Sequence, residues 1–159
     1  MATVERLVQI DRGTSDDLDA VMAVMDSAFG KRFGEAWTRS QLAGILPMGG
    51  VSLMLARESA EDSAVGFSLF RTVADESELL LLAVSPTHHR QGVGQQLLGA
   101  FLEQARNDGV TRVHLEVRDG NPAVAMYRNV GFSPVGRRRN YYHAPDGRRF
   151  DAITLAHRL

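Results

Sequence analysis

Residues Leu79 to Leu98 read LLLLAVSPTHHRQGVGQQLL, and the rest of the chain can be placed around them. The apolar run from Leu79 to Val84 has the pattern of a strand buried on both faces. Pro86 ends it, because proline has no N–H for a ladder and biases Ser85 away from helix. A polar loop, His88-His89-Arg90-Gln91, leads into Gly92-Val93-Gly94, where an amphipathic helix opens. Two glycines at a helix entrance let a ligand approach the backbone. The helix's unpaired N–H groups and the positive end of its dipole then favour phosphate. Arg90 adds a cation suited to a pyrophosphate. The segment reads as an anion cradle. A dinucleotide fingerprint is excluded, since it needs Gly or Ala where Leu97 stands. A P-loop needs Lys then Ser or Thr where Gln95 and Gln96 stand, and it is excluded too.

Composition narrows the class. A chain of 159 residues is the length of one domain with a substantial core. Its 44% hydrophobic and 23% charged content is that of a soluble globular protein. A formal net charge of -1 gives no overall field for nucleic acid or membranes. With 0 cysteines, disulfides, thiolate metal sites and an acyl-cysteine intermediate are excluded. No apolar run reaches the ~18 residues of a membrane span, and no basic, apolar secretion signal opens the sequence. These features predict one cytoplasmic domain over residues 1–159, with no metal site.

Periodicity orders the elements. Val4 to Asp11 alternates as a first strand. Thr14 or Ser15 caps a helix whose apolar positions are Leu18, Val21, Met22, Met25 and Phe29, ending near Gly30. Phe33 to Trp37 is a loop that faces a substrate or plugs the core edge. Thr38 caps a shorter helix through Leu46, stopped by Pro47. Val51 to Arg57 and Ala64 to Phe70 form a hairpin around the turn Glu58–Ser63, with Gly66 marking a bulge or a close backbone approach. Thr72 to Glu78 reads as a polar turn into the apolar strand. Val93, Leu97, Leu98, Phe101, Leu102 and Ala105 stripe the next helix, which Asn107-Asp108-Gly109 ends. Arg112 to Val117 is a strand with Val113, Leu115 and Val117 on one face, and His114 and Glu116 on the other. Strand, helix and strand in that order form a parallel crossover unit. A turn at Asp119–Pro122 feeds a helix, Ala123 to Asn129, closed by Gly131. Ser133 to Tyr142 and Phe150 to Leu159 form a last hairpin. The expectation is an α/β fold: one mixed, mostly antiparallel sheet with helices on its faces.

Val84-Ser85-Pro86 followed by Arg90-Gln91-Gly92-Val93-Gly94 resembles motif A of the GNAT acetyltransferases. In that family the loop and helix start bind the pyrophosphate of acetyl-coenzyme A, and His89 stands where Arg or Gln is usual. The resemblance implies cofactor contacts from His89, Arg90, Gln91, Gly92, Val93, Gly94 and Gln95. It also implies that an N–H of Leu82, Ala83 or Val84 faces the acetyl carbonyl.

Acetyl transfer to an amine requires a proton acceptor for the amine, stabilisation of the carbonyl oxygen, and a proton for the leaving thiolate. Glu116, near the end of the parallel strand, is the candidate base, against the alternative of a solvated carboxylate. Leu115-Glu116-Val117-Arg118, then Met126-Tyr127-Arg128-Asn129-Val130-Gly131-Phe132, resembles the later GNAT motif, whose tyrosine lies by the thioester sulfur. That makes Tyr127 the candidate acid, against a helix tyrosine packed in the core. With Arg138-Arg139-Asn140-Tyr141-Tyr142 and Asp146-Gly147-Arg148, these segments are similar to the RimI-type ribosomal-protein alanine N-acetyltransferases. That resemblance implies direct transfer in a ternary complex to a protein N-terminus, that of a small-subunit ribosomal protein. It implies Glu116 as base, Tyr127 as acid and Asn121 as a coenzyme A contact. The spacing from Glu116 to Tyr127 is one residue shorter than the family's, so the Asn slot counted from Tyr127 falls on Gly120. Tyr141 and Tyr142 line a peptide groove or cover the sheet. The arginine-rich hairpin meets acidic or ribosomal surroundings, or is a solvated face. Two rival functions keep the fold: acetylation of a small-molecule amine or a lysine, and non-catalytic binding of acyl-coenzyme A.

Overall fold

The computed structural model describes residues 7–59 and 63–159. Residues 4–6 of the expected first strand and 60–62 of the expected turn lie outside them. Strands β1 (Gln9–Gly13), β2 (Val51–Arg57), β3 (Ala64–Val73), β4 (Glu76–Val84), β5 (Arg112–Arg118), β6 (Ser133–His143) and β7 (Arg149–Arg158) make one sheet. Their order is β1-β2-β3-β4-β5-β7-β6, and every neighbouring pair is antiparallel except β4 and β5. Helices α1 (Leu18–Phe29), α2 (Arg39–Ile45), α3 (Val93–Asn107) and α4 (Ala123–Asn129) complete the mixed α/β architecture.

Two apolar clusters form the core. Leu97, Leu98, Phe101, Leu102 and Ala105 of α3 pack with Phe70, Leu79, Val113, Leu115 and Val117. Val21, Val24 and Met25 of α1 and Leu42 of α2 pack with Leu53, Leu55, Phe67, Leu69, Leu81 and Ala83. The helix starts follow from local chemistry. Thr14 accepts from the Asp16 N–H within a capping box completed by Asp17, and Thr38 and Gln41 form another ahead of α2. Gly66 proves to be a close approach: a Cβ there would lie 3.1 Å from Leu97 and 3.3 Å from Val93, so its absence seats α3 on the sheet.

Apart from shifts of one residue at strand ends, the strands differ from expectation in three places. β1 begins at Gln9 and continues through Gly13. β3 and β4 leave only Ala74 and Asp75 between them, so the polar run Thr72–Glu78 is mostly ladder and not turn. Thr72 pairs with Ser77 in register and their hydroxyls hydrogen-bond at 3.0 Å, which lets polar residues stay in a strand. Nor is the run Leu79–Val84 buried on both faces: Leu79, Leu81 and Ala83 are buried, whereas Leu80, Leu82 and Val84 are only half-buried.

That last difference builds the site. The β3–β4 register slips so that Leu69 faces Leu81 while Phe70 faces Leu79, leaving Leu80 as a bulge. Leu79 therefore joins the α3 cluster and Leu81 the α1 cluster, although residues two apart in a regular strand share a face. Parallel pairing with β5 stops at Leu79 with Leu115. Past that point β4 continues paired to β3 alone and β5 to β7 alone. A gap opens between the two strands.

Candidate active site

Two clefts meet at this gap. The larger has a volume of about 850 Å³ and is walled by Leu82, Ala83, Val84, the 88–90 loop and the start of α3. The smaller, about 130 Å³, lies between Leu80–Leu82 of β4 and Leu115–Val117 of β5, with Trp37, Tyr141 and Tyr142 at its sides. Phe29, Glu35, Leu82, Asn121 and Tyr127 line both.

The larger cleft carries the loop and helix start expected from the sequence to be an anion cradle. Gly92 caps α3 with φ +78°, and Arg90 before it also lies in the left-handed region at +62°. The chain thereby turns sharply enough for the first N–H groups of α3, which no helix satisfies internally, to face outward. Gly94 has Met126 Sδ 3.4 Å from where its Cβ would stand, so a side chain there would crowd α4. His89 lines the cleft but turns back, its Nε2 2.9 Å from the Val84 carbonyl. His88 pairs with Glu58 at 2.6 Å, tying the loop to the end of the β2 hairpin. His89, Arg90, Gly92, Val93, Gly94 and Gln95 all line the cleft, with Leu82, Ala83 and Val84. Gln91 is the expected contact that lines neither cleft. Its amide donates to the Thr87 carbonyl at 3.4 Å, because the turn at Arg90 and Gly92 aims the side chain back along the loop.

Glu116 lines the smaller cleft only. Its side chain is 15% exposed, and its Oε1 lies 2.5 Å from Arg138 Nε. Tyr127 is buried and lines both clefts. Burial raises its pKa well above the phenol's ordinary value, and the nearby Tyr142 and Glu35 push in the same direction. The phenol therefore holds its proton at neutral pH. Tyr142 is raised too, by burial first and then by Glu35.

Asn121 lines both clefts and is held by two hydrogen bonds. Its Oδ1 accepts from the Ala123 N–H at 2.9 Å at the start of α4, and its Nδ2 donates to Glu35 Oε2 at 3.2 Å. The turn ahead of it passes through Gly120, whose φ is +89°. Glu35 is the main residue that sequence reasoning missed. It accepts from Arg118 Nε at 3.2 Å, with both side chains about nine-tenths buried. Arg118 in turn sits over the Phe33 ring at 3.6 Å. The available signals were the loop Phe33–Trp37 and Arg118 beside the Leu115–Val117 strand. Neither shows from spacing alone that an ion pair joins them across 83 residues.

Residues 18–132 match the Acetyltransferase (GNAT) family. The chain belongs to that family. As a GNAT acetyltransferase it is 40% identical over 92 residues to the [Ribosomal protein bS18]-alanine N-acetyltransferase of Haemophilus influenzae, a match covering 58% of this chain and 63% of that relative. The corresponding protein of Haemophilus ducreyi is 35% identical over 108 residues, covering 67% and 74%. The chain thus spans just under two thirds of the Haemophilus influenzae relative's length. Among solved structures, the ribosomal-protein-S18-alanine N-acetyltransferase from Escherichia coli superposes with a TM-score of 0.84 at 29% identity, over 96% of this chain and 94% of that one. Arabidopsis thaliana NAA60 in complex with acetyl-CoA shares the fold, with a TM-score of 0.79 at 17% identity over 96% and 99%. Among the described residues, no helix is long and apolar enough to cross a membrane.

Proposed function

We propose that this GNAT protein transfers the acetyl group of acetyl-coenzyme A to the N-terminal α-amino group of a protein, an alanine of a small-subunit ribosomal protein. The observation that carries this reading is the placement of Tyr127 where a cradle-bearing cleft and a carboxylate-bearing cleft join. The names of the bS18-alanine acetyltransferase relatives support the choice of acceptor.

The residues fit such a donor. Arg90 and the N–H groups at the start of α3 would hold the pyrophosphate, and an N–H at the end of β4 would face the thioester carbonyl. That end of β4 has left its pairing with β5, so the edge of the strand is turned to the gap. The acceptor enters the smaller cleft, and Glu116 takes its proton, directly or through a water. Tyr127 then gives its proton to the departing sulfur. An α-amine, with a pKa of about 8 against about 10.4 for lysine, costs ~3 kcal/mol less to deprotonate at a given pH, which suits a carboxylate base. Since a thioester is already activated, alignment of the two reactants contributes much of the acceleration.

The test follows coenzyme A release with mass spectrometry of an alanine-starting peptide, beside free amines, for the native protein, Glu116→Gln and Tyr127→Phe. Acetylation confined to the peptide α-amine and slowed in both variants is the expected outcome. Turnover on small amines alone would replace this reading with that of a small-molecule acetyltransferase.

A further inference from the structure

Arg138 occupies a position that the proposed reaction leaves unexplained. Its guanidinium contacts Glu116 Oε1 at 2.5 Å, yet its own side chain is 63% exposed while that of Glu116 is 15% exposed. The backbone beneath it is anchored on both sides. Arg137 bonds Asp119 at 2.7 Å and Asp151 at 2.9 Å, and the Asn140 N–H donates to Asp151 at 2.9 Å. Between Arg138 and Tyr142 the β6–β7 register slips, and Asn140 adopts φ +53°. This irregularity lifts the strand over the smaller cleft, where Tyr141 and Glu116 both line the wall and the Arg138 guanidinium lies 5.5 Å from the Tyr141 ring. An anchored backbone thus carries an exposed, solvent-facing cation onto the carboxylate.

We propose that Arg138 is a latch that stands in for the acceptor's α-ammonium on Glu116 until the acceptor arrives; this rests on Glu116 being the base. A half-buried carboxylate needs a cation partner, and an amine with a pKa near 8 reaches the cleft mostly as an ammonium. Exchange of one cation for the other keeps the carboxylate paired throughout. It also lets the guanidinium swing out to water, where an arginine is comfortable. While the latch is closed, Glu116 is engaged by Arg138 and does not activate water. With the latch removed, a water oxygen can form a bond to the thioester carbon as the C–S bond breaks. One water proton passes to Glu116, Tyr127 supplies the proton that the sulfur takes, and acetate, coenzyme A and one released proton result.

The test compares the native protein with Arg138→Ala, Arg138→Lys, Glu116→Gln and the Arg138→Ala/Glu116→Gln double variant. Acceptor KM is measured with an alanine-starting peptide, and coenzyme A release is measured with no acceptor. Arg138→Ala should lower the acceptor KM about threefold to fivefold, the worth of one exposed ion pair, with kcat kept. It should also raise acceptor-free release, and the double variant should abolish that rise. Arg138→Lys, which keeps the charge, should fall between the native protein and the alanine variant. A lower kcat or a higher KM in Arg138→Ala would overturn the latch, because the guanidinium would then be holding Glu116 for catalysis. Unchanged KM and unchanged acceptor-free release would overturn it as well. Native-like peptide turnover by Glu116→Gln would sink the assignment of the base instead, and the KM comparison would still decide whether Arg138 competes with the acceptor.

Discussion

Tyr127 and Glu35 show how single residues shape the junction of the two clefts. Burial keeps the Tyr127 phenol protonated, and the sign for stability follows. The unfolded chain loses this proton near pH 10, whereas the folded state keeps it to higher pH. Stability is therefore complete below about pH 10 and falls as pH rises through the folded-state value. Urea midpoints across the alkaline range should decline in the native protein and decline less in Tyr127→Phe. Glu35 is a different case, since it holds Arg118 and Asn121 together where both clefts meet. Glu35→Ala would leave the Arg118 guanidinium buried without its carboxylate, at a cost of about 3 kcal/mol. Urea unfolding would read that loss, and steady-state kinetics should show higher KM values for both substrates, because Glu35 lines both clefts. A variant of native stability would show that Phe33 and Asp119, which also contact Arg118, suffice to hold it.

At the scale of elements, the strand–loop–helix unit from β4 to α3 depends on its glycines. Gly92 needs φ +78°, a region where a Cβ costs about 1 kcal/mol. Gly92→Ala should therefore lower stability by roughly that amount and raise the KM for acetyl-coenzyme A several-fold through a distorted cradle, with the acceptor KM unchanged. Equal shifts in both KM values would place the loop outside the donor site. Gly66 limits the same helix from below. A methyl group there would press on the Ala83 carbonyl at 3.0 Å as well as on Leu97 and Val93. Gly66→Ala should cost about 1–3 kcal/mol, read from the shift of the urea midpoint. The glycine-led start of α3, its apolar stripe and the caps were legible in the amino-acid order, because each depends on neighbours within a turn or two. The β3–β4 hairpin was not. Its polar side chains pair with one another across the ladder, and a run of polar residues looks the same whether it pairs or turns.

Across the whole molecule, two apolar clusters clamp one sheet, and the site lies at the gap in that sheet's middle. Phe101 is fully buried against Phe70, their ring centroids 4.8 Å apart. Phe101→Ala should destabilise the fold by about 3–5 kcal/mol, and thermal unfolding should show the matching drop in midpoint. By itself the sequence determined the α/β class, the single parallel crossover, the glycine-led entrance to α3 and the motifs that carry Glu116 and Tyr127. Those are properties of periodicity, of backbone freedom at glycine and proline, and of short motifs, all local along the chain. Only the tertiary structure decided that β4 and β5 part after Leu79 and that Leu80 bulges to redirect its neighbours. Only there did Glu35 meet Arg118 and Asn121, and Arg138 close over Glu116. Such contacts join residues far apart in sequence. They depend on strand register and packing, which no spacing along a single chain specifies.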